Sequence, residues 1–477
     1  MNAAGIWLLL LAAAVMIATG LPAWVVLVGV ASVGALTGIA LDVVPAALFE
    51  SVPPRIVGLL ENDLLQALPL YVFMGALLNR LALSDALFRV LRRLVGAPVA
   101  GLLLGALLAP MNGSVGASVA TLARTVHPRL RESGFGAGRA AALIATAGTL
   151  GVVVPPSLVL ILFGDAAMRA HTEAVNVTHA SVRILNTQDV FRGALVPAAL
   201  LLIFAAAVAF WQGRSQGASR PVAAQVATLA DWITAAVTFT ALVVLLGAVT
   251  LGYMYAVEAA ATGGVVLFAY GVLSRTLDRA TLAAAMRETL ALTGALFALL
   301  IGATMLTLVM RAFETDRWLA DVLVGLPGGP AATLAAGLAI IGLAALVLDA
   351  FEMIFVVVPL VLPPLLQRLP DASWVAVLAL LILQTSFLLP PFGFALLMTR
   401  NRLGASVSLR ELAGAIRPFL LAQIAVLALV LALPRLVHLA QPPEIVVRQL
   451  TPEEIERELH PVAPDTDSDV APPDPAQ

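Results

Sequence analysis

The sequence predicts an all-α polytopic membrane protein with two inverted-topology repeats, each holding a re-entrant hairpin and a broken transmembrane helix. Of the 477 residues, 61% are hydrophobic and 12% are charged, which is more apolar surface than a soluble domain can bury. The apolar runs are continuous rather than alternating, which excludes a membrane β-barrel. Two of these runs are interrupted by paired prolines, and the rest of the chain is organised around them.

The first interrupted run, Ala137 to Met168, exceeds the length of about 20 residues that crosses a bilayer. Its middle, Gly148 to Pro156, contains two glycines and two adjacent prolines, which remove backbone donors and break a helix. The second run, Leu381 to Arg400, breaks at Pro390-Pro391. One such segment alone could be a simple proline kink. Because the break recurs, we predict unwound backbone that lines a buried cavity.

The first 96 residues are predicted to form membrane helices followed by an amphipathic arm. Ser84 is a plausible N-cap of that arm, and Arg89, Arg92 and Arg93 fall at its polar positions. The N-terminus lacks a basic region, so its first helix is predicted to be retained rather than cleaved. In order, the elements are helices at 5–20 and 22–41, a loop at 42–63 that includes the VPPR sequence, a span at about 64–82 and the arm at 84–96.

Residues 97–128 are predicted to form a re-entrant hairpin. Pro110 to Gly116 interrupts an apolar stretch whose halves are each too short to span a membrane. Arginines flank both ends, and the positive-inside rule therefore places both ends in the cytoplasm. The tip would contain Asn112 and Ser114. The alternative is a single kinked span.

The next elements are predicted from composition and charge. The Gly/Ser/Arg/Gln-rich linker is the best boundary between the two halves. In order, the predicted elements are a polar loop at 169–190, a span at 191–212, the linker at 213–228, spans at 231–251 and 254–274, a second arm carrying Arg275, Arg279 and Arg287, and a span at 288–312.

A second hairpin is predicted at residues 331–366, because Asp349 to Glu352 interrupts another apolar stretch. Acidic residues flank it, so its ends are predicted to be external, opposite to those of the first hairpin. The interruption precedes the proline pair by 43 residues in the first half and by 41 in the second. An arm at 313–328 is predicted before this second hairpin. The elements predicted after it are a broken span at 373–400, a basic loop with Arg400, Arg402, Arg410 and Arg417, a last span at about 418–437 and an acidic, proline-containing tail at 441–477.

These elements divide the chain into scaffold and transport parts, since inverted repeats of this kind support alternating access around a central site. The scaffold comprises residues 1–82 and 191–315. The two halves of the transport part are 83–190 and 316–400, followed by the last arm and helix at 401–440 and the polar tail at 441–477.

The predicted centre offers oxygen atoms suited to a small hard cation. Neutral oxygens come from side chains at the tips and breaks, which are those of Asn112, Ser114, Thr149, Gln384, Thr385 and Ser386. Asp349 is the ionisable residue placed most clearly in an apolar run, with Glu352 on the same face. Asp349 could bind Na⁺, titrate with protons, or cap the second helix of its hairpin. The capping role is compatible with either of the other two.

Other titratable residues carry less information. Asp165 is predicted to have a structural role. The five histidines are predicted to lie in loops or the tail without metal-ligand spacing, so no transition-metal site is expected. No P-loop, hydrolase elbow or nucleic-acid-binding stretch is present in the sequence, so energy is expected from an ion gradient and no cofactor is expected.

Six motifs together resemble the large permease subunit of TRAP (tripartite ATP-independent periplasmic) transporters, the DctM-type M subunit. They are PLYVFMGALLNRLALSDALF, NGSVGASVATL, AGTLGVVVPPS, EAAATGG, LDAFEMIFVVVPLVLP and LQTSFLLPPFGFAL, and the resemblance covers nearly all of residues 5–437. The last two, with IGATMLTLVMR, resemble the branch associated with mannitol or chloroaromatic compounds.

The resemblance implies an elevator-type, Na⁺-coupled importer of organic acids in the bacterial inner membrane. It implies two partners, a small four-helix membrane subunit, expected as a separate chain, and a periplasmic substrate-binding protein. By position it places Na⁺ ligands at Asn112, Ser114, Thr149, Gly151, Pro155, Asp349, Thr385 and Ser386. Gln384, Pro156, Pro390, Pro391 and Glu352 are the candidates for the substrate path.

Two alternatives stay open at this point. One is a stand-alone ion-coupled carboxylate carrier of related inverted-repeat fold, which would need no binding protein. The other is an intramembrane enzyme or scaffold, for which Asp349 with Glu352 is the only candidate catalytic pair. The substrate, Na⁺ against H⁺ coupling and its stoichiometry, the oligomeric state, and the roles of loop 169–190 and the tail are not predicted.

Overall fold

The computed structural model describes residues 4–61, 63–81, 83–111, 114–155, 157–180, 182–214, 227–404 and 407–441, and the regular elements found there are helices. In the first half they are α1 (Ala4–Thr19), α2 (Ala23–Ala40), α3 (Val52–Leu60), α4 (Asp63–Arg80), α5 (Leu83–Val95), α6 (Ala97–Leu108), α7 (Val115–Thr125), α8 (His127–Glu132), α9 (Ala137–Thr149), α10 (Leu158–Thr178) and α11 (Thr187–Arg214). Short 3-10 segments cover Ala46–Ser51, Ala109–Met111 and Leu150–Val152.

The second half repeats much of this order. Its helices are α12 (Leu229–Leu251), α13 (Ala256–Leu273), α14 (Arg279–Ala312), α15 (Thr315–Val324), α16 (Gly329–Ala344), α17 (Ala350–Glu352), α18 (Val358–Arg368), α19 (Ala372–Ser386), α20 (Phe394–Leu403), α21 (Leu409–Ala432) and α22 (Arg435–His438). A π-helical segment, Met353–Val357, joins α17 to α18. Most of linker 213–228 and nearly all of the predicted tail lie outside the described residues.

Seven helical stretches of the described chain are long and apolar enough to cross a membrane, which confirms a multi-pass helical protein. A bent pair, Ala46–Leu60 with Leu65–Arg80, passes the same test only when taken together. The seven are α2, α11, α12, α13, α14, the stretch Ala350–Arg368 and α21. The stretch Ala350–Arg368 is 83% buried within the protein, so it lies inside the bundle rather than on its lipid-facing surface.

The predicted loop at 42–63 is wrong over most of its length. The chain forms a 3-10 segment from Ala46 to Ser51 and continues directly into α3. Pro53 and Pro54 lie in the first turn of α3, where a missing N–H costs nothing because it would have no partner within the helix. The proline pair that suggested a loop therefore starts a helix.

The predicted loop at 169–190 is also wrong, because α10 continues to Thr178. Asp165 and Arg169 form an ion pair of 3.0 Å one turn apart inside this helix, in agreement with a structural role for Asp165. His179, with φ of 52°, ends the helix in the left-handed conformation. His171 lies in the helix rather than in a loop, and its Nδ1 accepts a hydrogen bond from Leu185 N at 2.9 Å.

Three further boundaries differ from the prediction. The second arm and the following span form one 34-residue helix, α14, whose N-cap Asp278 accepts a hydrogen bond from Thr281 N at 2.7 Å. Ser84 does not cap α5, because the helix already includes Leu83 and Ser84 is buried in its first turn. The basic loop before the last span is short, since Arg400 and Arg402 lie in α20 and Arg410 and Arg417 in α21.

The first predicted hairpin does reverse direction. Ser118 Oγ on α7 donates to Ala109 O at 3.3 Å, next to the end of α6. Farther from the turn, Gly105 lies against Leu122, and Gly101 lies against Val126. These contacts run antiparallel, so the alternative of a single kinked span is wrong. The position of the tip in a membrane stays a prediction.

The second predicted hairpin folds back in the same way. Gly337 on α16 lies against Leu365 on α18, and the turn between the two helices ends at Asp349. The π-helical segment follows this turn, and such segments are frequent at functional sites because they interrupt the regular hydrogen-bond ladder.

The two halves of the chain pack reciprocally. The second part of the first broken run, α10, packs on α18 of the second hairpin, while α20 of the second broken run packs on α7 of the first hairpin. Likewise α2 packs on α14, and α13 packs on α4. This exchange is the arrangement expected of two structural repeats. Their inverted orientation across a membrane and the scaffold and transport division stay predictions.

Gly151 is a point of close backbone contact between the first broken run and the first hairpin. A Cβ at this position would lie 2.7 Å from the carbonyl carbon and oxygen of Ala109, which are backbone atoms that cannot turn aside. We expect Gly151→Val to destabilise the folded protein by about 3 kcal/mol, the upper range for overpacking. Gly247→Val on α12 is the matched control, because no heavy atom lies within 4 Å of its added Cβ. Thermal unfolding in detergent measures both, and equal Tm values for the two variants would contradict the prediction.

Candidate functional site

The two hairpin tips share one cavity. Ser114 from the first hairpin and Asp349 from the second both line a cavity of about 240 Å³. The turn before α2, helix α4 and the middle of α14 complete its wall. The lining residues are Pro22, Ala23, Trp24, Val72, Ser114, Leu292, Ala295, Leu296, Leu299, Asp349 and Phe351. The sequence predicts that both tips and both broken runs meet, and of these four elements the two tips line this cavity.

Ser114 is held by its role at the start of α7. Its Oγ accepts a hydrogen bond from Ala117 N at 3.1 Å, which makes it the N-cap of that helix. Ser118 Oγ donates to the carbonyl of Ser114 at 2.9 Å and fixes the same turn. The capping interaction leaves the Ser114 hydroxyl with a proton and a second lone pair beside the cavity. Asn112, predicted beside it, lies outside the described residues.

Asp349 caps the second helix of its hairpin, as one of the interpretations of the sequence predicted. Its Oδ1 accepts from Ala350 N at 2.7 Å, and Glu352 Oε2 accepts from Asp349 N at 3.1 Å, which together form a capping box. A carboxylate has about four acceptor positions, so the cap leaves capacity for a cation. Asp349 is partly exposed and lines the cavity, whereas Glu352 is buried behind it.

The first broken run is buried beside the first tip and does not line the cavity. Thr149 is fully buried, and its hydroxyl donates to Thr146 O at 2.8 Å. Gly151 lies against Ala109, and Pro155 is buried in the break. After the break, Ser157 caps α10 by accepting from Leu160 N at 3.0 Å. Pro156 lies outside the described residues.

The second broken run packs against the second hairpin. Thr385 Oγ1 donates to Leu381 O at 2.7 Å, and Ser386 faces Gly342 of α16. The break contains the cis peptide bond between Pro390 and Pro391. Pro391 is exposed. None of these residues lines the shared cavity.

Gln384 is the least satisfied polar group among the predicted site residues. It is 1% exposed, and neither its side-chain oxygen nor its nitrogen has a hydrogen-bond partner within the described part of the chain. A buried amide without partners costs free energy, so such a group is expected to gain a partner in another state or from a ligand.

The sequence did not predict the apolar residues that line the cavity beside the two tips. Trp24, Phe351 and four apolar residues of α14 line it, and apolar residues in apolar helices carry no signal for a site. Asp349 is the single ionisable residue among the described lining residues, and no arginine lines the cavity with it. Among the described residues, no three His, Asp or Glu side chains lie together as a metal cluster.

Comparison with known families identifies the chain. The profile described as "Tripartite ATP-independent periplasmic transporter, DctM component" matches residues 10–436. The chain belongs to the DctM family of TRAP transporter large permeases. Proteins of this family are transporters, so the alternative of an intramembrane enzyme or scaffold is wrong. Membership in a mannitol or chloroaromatic branch stays a prediction.

Individual relatives of this DctM-family chain are distant. It is 22% identical to the sialic acid TRAP transporter permease protein SiaT of Haemophilus influenzae, over 80% of this chain and 60% of that protein. It is 24% identical to the sialic acid TRAP transporter large permease protein SiaM of Vibrio cholerae, over 80% and 87%. The crystal structure of the Alcanivorax borkumensis YdaH transporter superposes with a TM-score of 0.60 at 15% identity, covering 83% of this chain and 90% of that one, and it supports the fold alone.

Proposed function

We propose that this large permease imports an organic acid by secondary transport coupled to a Na⁺ gradient. It would act in the bacterial inner membrane together with a small four-helix membrane subunit and a periplasmic substrate-binding protein. The observation that carries the proposal is the single cavity in which Ser114 of one hairpin and Asp349 of the other come together.

The chemistry of that cavity favours a cation as coupling ion. Asp349 supplies the one negative charge among its described lining residues, and Ser114 supplies a neutral oxygen. Carboxylate, hydroxyl and carbonyl oxygens are the ligands that hard cations prefer. A carboxylate at membrane depth is costly, and a bound Na⁺ would offset that cost. Proton binding by Asp349 is the competing explanation, and the experiment below separates the two.

The same cavity also favours an anionic substrate next to the cation. Two helical stretches, α7 and Ala350–Arg368, begin at Ser114 and Asp349, so their positive ends meet there. Such half-helix ends bind carboxylates in secondary transporters. The relatives SiaT and SiaM are named for sialic acid, which supports a substrate with an acidic group.

The remaining predicted ligands would complete the site only if the protein changes conformation. Thr149, Thr385 and Ser386 lie at the two breaks but outside the cavity, and Gln384 is buried without a described partner. The tips and the breaks all belong to the transport part, so a rearrangement within that part, and not its rigid movement as an elevator, would bring them into contact with one ion and one substrate.

The proposal is tested with purified components in proteoliposomes. The acid is first identified by mass spectrometry of what the purified binding protein carries, and its radiolabelled form is then the probe. We expect uptake with the small subunit and the binding protein present under an inward Na⁺ gradient, and none under a K⁺ gradient. Uptake driven by a proton gradient without Na⁺ would overturn the coupling ion. Equal uptake without the binding protein would instead favour the stand-alone carrier.

A further inference from the structure

A second cavity is lined mainly by helices of the scaffold part of the chain, together with Leu83 at the start of α5. It has a volume of about 230 Å³ and lies between α4, α12 and α13. Its lining is almost entirely apolar, and it includes Met74, Leu83, Leu242 and Gly263. None of these residues contributes to the site described above.

This cavity opens to the outer surface of the helix bundle. Ile233 and Val237 on α12 are 57% and 64% exposed, and Val266 on α13 is 53% exposed. In a bilayer these residues face hydrocarbon, so a flexible acyl chain can enter between them. A helix is about 10 Å in diameter and cannot enter a space of this volume without separating the three helices.

One end of the cavity is marked by arginines. Arg89 Nη2 lies 2.5 Å from Asp231 Oδ1, two residues before the lining residue Ile233. One helical turn farther along α5 are Arg92 and Arg93.

The helix α13 returns to the same end. It is joined to α12 by a four-residue turn, so the two helices run antiparallel, and its lining residue Tyr270 lies near its end as Ile233 lies near the start of α12. Arg275 follows the end of α13. Arg92, Arg93 and Arg275 form no ion pair with any described residue, and they follow the parts of α5 and α13 that carry Arg89 and Tyr270.

The carboxylates at this end are already engaged. Asp231 is paired with Arg89, and Glu288 is paired with Arg80 at 2.7 Å. Asp278 caps α14, and the hydrogen bonds from Thr281 lower the pKa of its carboxyl group. The positive charge of the remaining arginines is therefore available to an external anion at the membrane surface.

We propose that this is a binding site for an anionic phospholipid. One acyl chain fills the cavity between α4, α12 and α13, and the phosphate-bearing headgroup contacts Arg92, Arg93 and Arg275. The lipid would connect the amphipathic arm α5, at the start of the first transport half, to the scaffold helices α12 and α13. The site lies on the arginine-rich side of the membrane and requires no binding protein or substrate.

The test measures lipids retained by the full chain after purification from nanodiscs with equal dioleoylphosphatidylglycerol and dioleoylphosphatidylcholine. Native mass spectrometry counts both lipids. We expect the wild type to retain phosphatidylglycerol preferentially. Arg92→Gln with Arg93→Gln should weaken that preference roughly 30-fold, since each surface arginine contributes roughly a factor of five to anionic-lipid binding. Ala241→Phe should fill the cavity and remove the lipid altogether.

Matched controls keep the proposal falsifiable if a variant misfolds. Arg400→Gln with Arg402→Gln removes two exposed arginines elsewhere, and Ala236→Phe adds a ring to an exposed part of α12 outside the cavity. Both should retain the wild-type lipid, and each variant's Tm is measured alongside. Equal retention of the two lipids by the wild type would overturn the headgroup contact. Unchanged lipid in Ala241→Phe together with loss of the co-purified small membrane subunit would assign the cavity to a protein partner instead.

Discussion

Asp349→Asn is expected to abolish Na⁺-driven uptake while leaving the protein folded. Asparagine caps helices as well as aspartate does, so the hydrogen bond from Ala350 N at 2.7 Å can be kept. The charge in the cavity is lost, however, and with it up to about 3 kcal/mol of cation binding. That corresponds to roughly 100-fold weaker Na⁺ affinity. The measurement is Na⁺-dependent uptake in proteoliposomes with all three components, with Tm recorded for each variant.

Further substitutions separate the charge of Asp349 from its structural role. Asp349→Ala removes both the charge and the cap, so it should lose uptake and also about 1 kcal/mol of stability. Asp349→Ser keeps a cap without a carboxylate and should behave like Asp349→Asn. Glu352→Gln keeps an oxygen for the hydrogen bond from Asp349 N and should retain Na⁺ dependence. If Asp349→Asn transports with an unchanged requirement for Na⁺, the carboxylate has only a capping role.

The sequence was most informative where backbone chemistry is decisive. Gly148 to Pro156 and Pro390-Pro391 marked both breaks, because proline removes a backbone donor and glycine is poor in helices, although Pro363-Pro364 stay inside α18. Asp349 was predicted as a cap or an ion ligand from its isolation in an apolar run, and its place in the cavity agrees with both roles. Arginine asymmetry indicated the first hairpin, whose antiparallel contacts are present.

What could not be predicted depends on packing between distant parts of the chain. Trp24 and Leu296 line the cavity because α2 and α14 lie together, and an apolar residue in an apolar helix does not reveal its neighbours. Local composition also misplaced helix ends. Polar residues suggested a loop after Met168. The helix α10 nevertheless continues to Thr178, and the Asp165–Arg169 ion pair lies within it.

Single cysteines should show that the two repeats are inverted across the membrane. The chain has no native cysteine, so Arg93→Cys and Arg317→Cys can each be labelled without background. Arg93 is exposed on the first arm, and the Arg317 side chain is 78% exposed on α15, the corresponding arm of the second half. A membrane-impermeant maleimide should label Arg317→Cys only from the outside and Arg93→Cys only from the inside of oriented vesicles.

The strength of this experiment is that each topology gives a different all-or-none pattern. The reciprocal contacts of α10 with α18 and of α20 with α7 require two hairpins approaching a common centre. Only opposite orientation brings the hairpins there from opposite faces of a bilayer, which allows the cavity at Ser114 and Asp349 to open to one side at a time. Labelling of both cysteines from the same side would make the repeats parallel. The two hairpins would then approach the cavity from the same face, and the proposed inverted-repeat mechanism would fail even if Asp349 binds Na⁺.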